Sequence, residues 1–197
     1  MTSRIDPIEP GDADDPEVDD LLREAETGWY GDAAFFGAIA HDTELLKRIV
    51  PVFEAFPRSD RIEPATLELM RLKIATHNQC AYCSTVRTRA VEDEVVGKET
   101  AVFGDTIDTE ALTREEALAV RVAAGMADDP HAFTDAFFAE LREVYTEAEI
   151  SELLLFAAVE VGLDRFCIAL TLDTTAESPY PTGLDYPAEP EPRETDD

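Results

Sequence analysis

Glu68-Leu69-Met70-Arg71-Leu72-Lys73-Ile74-Ala75-Thr76-His77-Asn78-Gln79-Cys80-Ala81-Tyr82-Cys83 is the stretch from which the rest of the chain is read. A helical run comes first, and one carboxylate, Glu68, stands in it beside Leu67, Leu69 and Leu72. Those neighbours favour partial burial and a raised pKa; the alternative is a boundary residue paired with Arg71 or Lys73 on a wet face. Asn78-Gln79 breaks the pattern, and a Cys-x-x-Cys follows at the head of a second helix, expected to run to about Val96-Gly97. Thiols three residues apart share a helical face and are close enough to join in a disulfide. A cysteine at the start of a helix meets unpaired N–H groups and the positive end of the dipole, which favour thiolate over thiol. Thiolates attack peroxides and disulfides, so the stretch reads as a redox site. A structural metal half-site or two inert thiols are the duller readings. Zinc wants about four ligands, and nearby the sequence adds only His77; redox is preferred.

Outward from this stretch the pattern stays helical. Pro64 suits the first turn of the helix carrying Glu68. Upstream, Asp42 or Thr43 caps a helix with Leu45, Leu46, Ile49, Val50, Phe53 and Phe56, in which Pro51 should produce a kink or a split. Before it lie Trp29, Tyr30, Phe35 and Phe36, more readily core than pocket. Downstream, Thr113-Arg114-Glu115-Glu116 and Thr146-Glu147-Ala148-Glu149 are capping boxes. Asp129-Pro130 opens a helix between them, and the second box precedes a long apolar helix through Leu170. No useful period-two alternation or hairpin signal is present, so the expected class is all-α. Residues 1–15 read as an acidic disordered segment, 16–173 as one helical domain, and 174–197 as a Pro-rich acidic tail whose Tyr180 and Tyr186 are candidates to dock it.

The formal charge is −28 over 197 residues, of which residues 1–20 carry −7 and residues 174–197 carry −6. The remaining −15 lies on the body, a surface that repels nucleic acid and anionic membranes. Only three lysines (Lys47, Lys73, Lys98) stand against thirteen arginines. A surface rich in acids and poor in lysine fits a high-salt cytosol, where a Debye length of about 3 Å at 1 M screens self-repulsion. The rival reading is an acidic surface that recruits a basic partner. Neither a membrane span nor a signal-peptide core is found, so a cytoplasmic location is expected. Three cysteines make no disulfide framework, and Cys167 reads as a small core residue.

Glu68, eleven intervening residues, then Cys80-Ala81-Tyr82-Cys83 resembles the carboxymuconolactone decarboxylase family, most closely its alkylhydroperoxidase D-like branch. Trp29-Tyr30-Gly31-Asp32 through His41, Leu45 through Phe56, and Gly162-Leu163-Asp164-Arg165-Phe166 support the likeness, which spans about residues 28–170. The resemblance implies an alkylhydroperoxidase D-like helical bundle, a homo-oligomer (dimer, trimer or hexamer) and no bound organic cofactor. It further implies a thiol peroxidase in which Cys83 attacks the hydroperoxide and Cys80 resolves the sulfenic acid. Glu68 would end a proton relay, and a dithiol or adaptor protein would restore the thiols.

One departure stands out. Where the motif carries histidine four residues after the second cysteine, this chain has Arg87; between the cysteines, where histidine is frequent, it has Tyr82. Arginine keeps its proton, so Arg87 is expected either to lower the Cys83 pKa by charge or to pair with Glu68. His77 is the one nearby histidine able to stand in, though local packing is its plainer role; His41 and His131 read as helix-terminal. Tyr82 reads as a packing residue, a poor acid–base group with its pKa of about 10. Arg165, within the apolar last helix, calls for an acidic partner from another helix or subunit. The alternatives to a peroxidase are a disulfide reductase or redox sensor, a lyase acting on a small carboxylate or lactone held by Arg87 or Arg165, and a non-enzymatic binding protein.

Overall fold

The structure, a computed structural model, describes residues 3–103 and 106–172, with every side chain in them but that of Trp29. The expectations for Tyr180, Tyr186 and the rest of the tail lie outside these residues. In chain order the helices are α1 (Pro16–Glu24), α2 (Ala34–Ile39), α3 (Thr43–Ala55), α4 (Pro64–His77), α5 (Ala81–Thr85), α6 (Glu92–Val95), α7 (Glu99–Phe103), α8 (Arg114–Ala127), α9 (Asp135–Arg142) and α10 (Glu147–Leu170). Among the described residues there is no strand, and the class is all-α.

The bundle is built around α4. Every residue from Ala65 to Ala75 is buried, because α8, α10, α5 and α7 all pack against it. A helix enclosed on all sides is normally apolar throughout, yet α4 also buries Thr66, Glu68, Arg71 and Lys73. On one flank Phe56, Met70, Leu141, Leu153 and Phe156 form a core with α8, α9 and α10. On the other, Leu22, Phe35, Phe36, Leu46 and Val86 surround Cys80, Tyr82, Cys83 and Cys167. Phe35 meets Phe36 and Phe166 edge to face, and Tyr30 packs against them, so Tyr30, Phe35 and Phe36 of the upstream aromatic cluster are core.

Local signals set the boundaries. Pro64 occupies the first turn of α4, and Thr113 and Thr146 each close a reciprocal capping box. α3 is not split by Pro51 and runs on to Ala55. The helix after Cys80 does differ from expectation: it stops at Thr85, and Val86 turns extended (φ −71°, ψ 152°). A 3-10 turn at Arg89–Val91 and then α6 follow as separate elements. Thr85, Val86 and Thr88 are β-branched and hold a helix weakly, while the backbone there makes hydrogen bonds to side chains of α4.

Residues 3–15 are likewise not the disordered segment expected. The Ser3 Oγ and Arg4 N–H donate to Leu170 O (3.1 and 2.8 Å), and Arg4 Nη1 donates to Ala169 O (2.7 Å). These bonds satisfy carbonyls that the end of α10 leaves open. The Ile8 N–H donates to Gly37 O (3.1 Å), a close approach in which a Cβ on residue 37 would collide with the Ile8 backbone. Asp15 then caps α1.

Candidate functional site

The end of α4 aims the thiols. Asn78 is its cap, Gln79 takes a left-handed conformation (φ 56°), and the Cys80 N–H donates back to Ala75 O at 2.9 Å. This is a Schellman turn, usually built on glycine; here it reverses the chain within two residues. Cys80 becomes the N-cap of α5, with its Sγ accepting the Cys83 N–H (3.2 Å).

Cys80 and Cys83 are joined in a disulfide, their Cα atoms 5.3 Å apart. Cys83 is the less deeply buried, 6% exposed against 1% for Cys80. Cys167 from α10, also 1% exposed, completes a cluster of three Sγ atoms all within 4.8 Å of one another. The sequence reading treated Cys167 as core alone. It is core, and it also lies beside the redox pair.

Glu68 lies on α4 behind this loop, buried and bound on every side. Arg71 grips its carboxylate twice, Nε to Oε2 at 2.9 Å and Nη2 to Oε1 at 2.6 Å. The Thr88 N–H and Oγ1 donate to the same carboxylate (3.2 and 3.0 Å). Burial pushes the Glu68 pKa up, but the Arg71 charge and these hydrogen bonds outweigh it and hold the group below the ordinary carboxylate value. The expected raised pKa is therefore reversed, and the pair with Arg71 forms on a buried face rather than a wet one. Arg71 also donates to Cys83 O (2.6 Å) and Val86 O (2.7 Å). The ion pair thus pins both ends of the segment from Cys83 to Thr88.

The other sequence candidates fall in different places. Arg87 follows the end of α5 and pairs with neither Glu68 nor the thiols. Its Nε donates to Glu99 Oε1 (2.7 Å), its Nη1 to Ser84 O and Val86 O (each 2.8 Å), and its guanidinium lies 5.7 Å from the Phe103 ring centre. Tyr82 is buried, donates to Asp32 Oδ1 (2.7 Å) and accepts from the Phe35 N–H (3.3 Å). Burial raises its phenol well above the usual value, so it packs rather than titrates. His77 is at the exposed end of α4, 3.8 Å from Asp128. Arg165 is exposed on α10, so water solvates it and it needs no acid from this chain.

Two acids that are not among the sequence candidates for the site face it from α10, Asp164 having been read only as part of the 162–166 stretch. Glu160, Asp164 and Cys167 follow at helical spacings of four and three and share one face. Asp164 is 1% exposed and accepts from Asn78 Nδ2 (3.1 Å). Burial raises its pKa to about 7, against the opposing effects of Asn78 and Arg71. Burial likewise raises Glu160 to about 8, against Arg71 and helped by the charges of Asp164 and Glu68. The Cys167 thiol is pushed up by burial and then by both acids, and stays protonated. Polar residues recurring on one face of an otherwise apolar helix were the available signal. A surface groove lined by Glu17, Asp20, Leu21, Glu24, Val50 and Glu54 contains none of these groups.

No protein-family model and no curated protein matches the sequence. A solved structure does match in shape: the debrominase Bmp8, a cysteine-to-alanine variant in complex with 2,3,4-tribromopyrrole. The TM-score is 0.67 at 16% identity, over 87% of this chain and 91% of that one. The two chains share a fold. At this identity the likeness is one of fold, and it agrees with the helical architecture that the sequence resemblance implies.

Proposed function

We propose that the protein is a thiol-dependent oxidoreductase that reduces hydroperoxides through a Cys80–Cys83 disulfide cycle. The observation that carries this reading is the bonded pair at the head of α5, with its backbone fixed by a buried ion pair. Cys83 is the less deeply buried residue of the pair and attacks the peroxide: an S–O bond forms, the O–O bond breaks, and the alkoxide leaves with a proton as alcohol. Cys80 then attacks the Cys83 sulfenic acid, forming the disulfide and releasing water. A dithiol or adaptor protein reduces it by attacking Cys83 and expelling Cys80, whose sulfur already accepts the Cys83 N–H. Glu68 is held ionised by Arg71 and is not the proton donor in this scheme. Asp164 and Glu160 hold protons near neutral pH and fill that role, which the missing motif histidine leaves vacant.

Hydroperoxide consumption with excess dithiol at high salt tests this. Wild type should turn over and Cys83→Ser should not. Arg87→His should gain nothing, because residue 87 faces Glu99 and Phe103. A wild type that leaves the peroxide untouched would sink the reading.

A second reading draws on the fold match: reductive dehalogenation of a halogenated aromatic. There a C–H bond replaces the C–Br bond, bromide leaves, and the two thiols supply both electrons as they close to the disulfide. Bromide release from 2,3,4-tribromopyrrole with dithiol, in place of peroxide consumption, would favour it. In either case we propose a homo-oligomer, since α10 exposes Leu155, Ala158, Gly162 and Arg165 along one stripe. The mass of the native particle, and its reduction in Gly162→Glu, test that.

A further inference from the structure

We propose that Cys167 is a third redox cysteine, able to replace Cys80 as the disulfide partner of Cys83. The proposal extends the thiol-redox reading above.

The geometry comes first. All three sulfurs lie within 4.8 Å of one another, so each is a near neighbour of the other two. α5 and α10 pack directly, which leaves the Cys83 and Cys167 sulfurs facing each other across adjoining helices once the Cys80–Cys83 bond opens. The cluster lies in the apolar core beside Tyr82 and Val86, where an intermediate sulfenic acid is shielded from further oxidation.

The surroundings assign the order of events. Burial and two neighbouring acids keep Cys167 a thiol, so it does not compete for the peroxide. It acts second. When Cys83 carries a sulfenic acid, the Cys167 sulfur attacks it: the S–S bond forms, the S–O bond breaks, and the departing hydroxide takes the thiol proton as water. Asp164, one turn away on the same face and held by Asn78, is placed to pass that proton. The Cys80 thiolate then attacks Cys83, forms the resting Cys80–Cys83 bond and returns Cys167 as the leaving thiol. One disulfide moves among three sulfurs with no additional oxidant.

The test uses the full chain as Cys80→Ser, reduced and then given one equivalent of hydrogen peroxide. Non-reducing peptide mass spectrometry should find Cys83 linked to Cys167 within one monomer, with little sulfenic acid trapped by dimedone. Cys80→Ser/Cys167→Ala should instead accumulate the dimedone adduct on Cys83. Diamide, which joins thiols without a sulfenic acid, is applied in parallel. If wild type fails to consume peroxide while diamide still links Cys83 to Cys167, the peroxidase reading falls and the third cysteine stands. If neither oxidant links them in Cys80→Ser, or in Cys80→Ala should the serine variant not fold, the proposal is overturned. Equal dimedone labelling with and without Cys167 would overturn it too.

Discussion

Glu68 on α4 and Asp164 on α10 are buried carboxyl groups around the same thiol cluster, with Glu160 half-buried beside Asp164, and the two helices hold their acids in different charge states. Glu68 has Arg71 and Thr88 donating to both of its oxygens, and it is held ionised. Arg71 is committed to Glu68 and to two backbone carbonyls, so its charge only partly offsets burial at Glu160 and Asp164. Burial alone does not decide what an acid does. The donors around it do, and one arginine serving one acid leaves the other two holding protons.

Removing the arginine breaks this comparison most forcefully. Arg71→Met strips a buried carboxylate of its ion-pair partner, and a loss of about 3–5 kcal/mol in denaturant unfolding is expected. The double variant Glu68→Gln/Arg71→Met should recover part of that loss, since no charge is then stranded; a single variant within about 1 kcal/mol of wild type would contradict the assignment. Thr88→Val sharpens the contrast by taking one charge-assisted hydrogen bond from Glu68, with an expected cost of about 1.5–3 kcal/mol. Its urea midpoint should fall with the slope unchanged.

The effect of pH is the smallest at any one value and opposite in sign for the two regions. Glu160 and Asp164 have raised folded pKa values, so their contribution is fully present below the unfolded values near 4 and is lost as pH rises through about 7 and 8. Glu68 has a lowered one, so its contribution is present above the unfolded value and is lost as pH falls through the folded one. Melting temperature should therefore decline between pH 5 and 8, and Asp164→Asn/Glu160→Gln should flatten that limb while leaving the acid limb in place. A flat wild-type profile over the same range would remove the basis for proton storage on α10.

The helical class, the caps at Thr113 and Thr146 and the start of α4 at Pro64 were legible because each is fixed by residues adjacent in sequence. Glu68 and the cysteine pair were legible by spacing. The partner of Glu68 was visible as Arg71, but its burial was not, since two charges on one helix look like a wet face until α8, α10 and α7 close over them. Arg87 was misplaced for a related reason. The expectation carried α5 onward by periodicity, whereas tertiary hydrogen bonds from Arg71 and Glu68 end it at Thr85 and turn residue 87 toward Glu99. Cys167 is separated from Cys83 by about half of the domain, and only packing brings them together.

Ser3 and Arg4 cover the last carbonyls of α10, one helical turn beyond Cys167. This pair of residues therefore acts as a clasp on the element that carries the third sulfur. Ser3→Ala/Arg4→Ala would loosen that final turn and change how readily Cys167 is alkylated, so the reactivity of a buried thiol is set in part by residues more than 160 positions away.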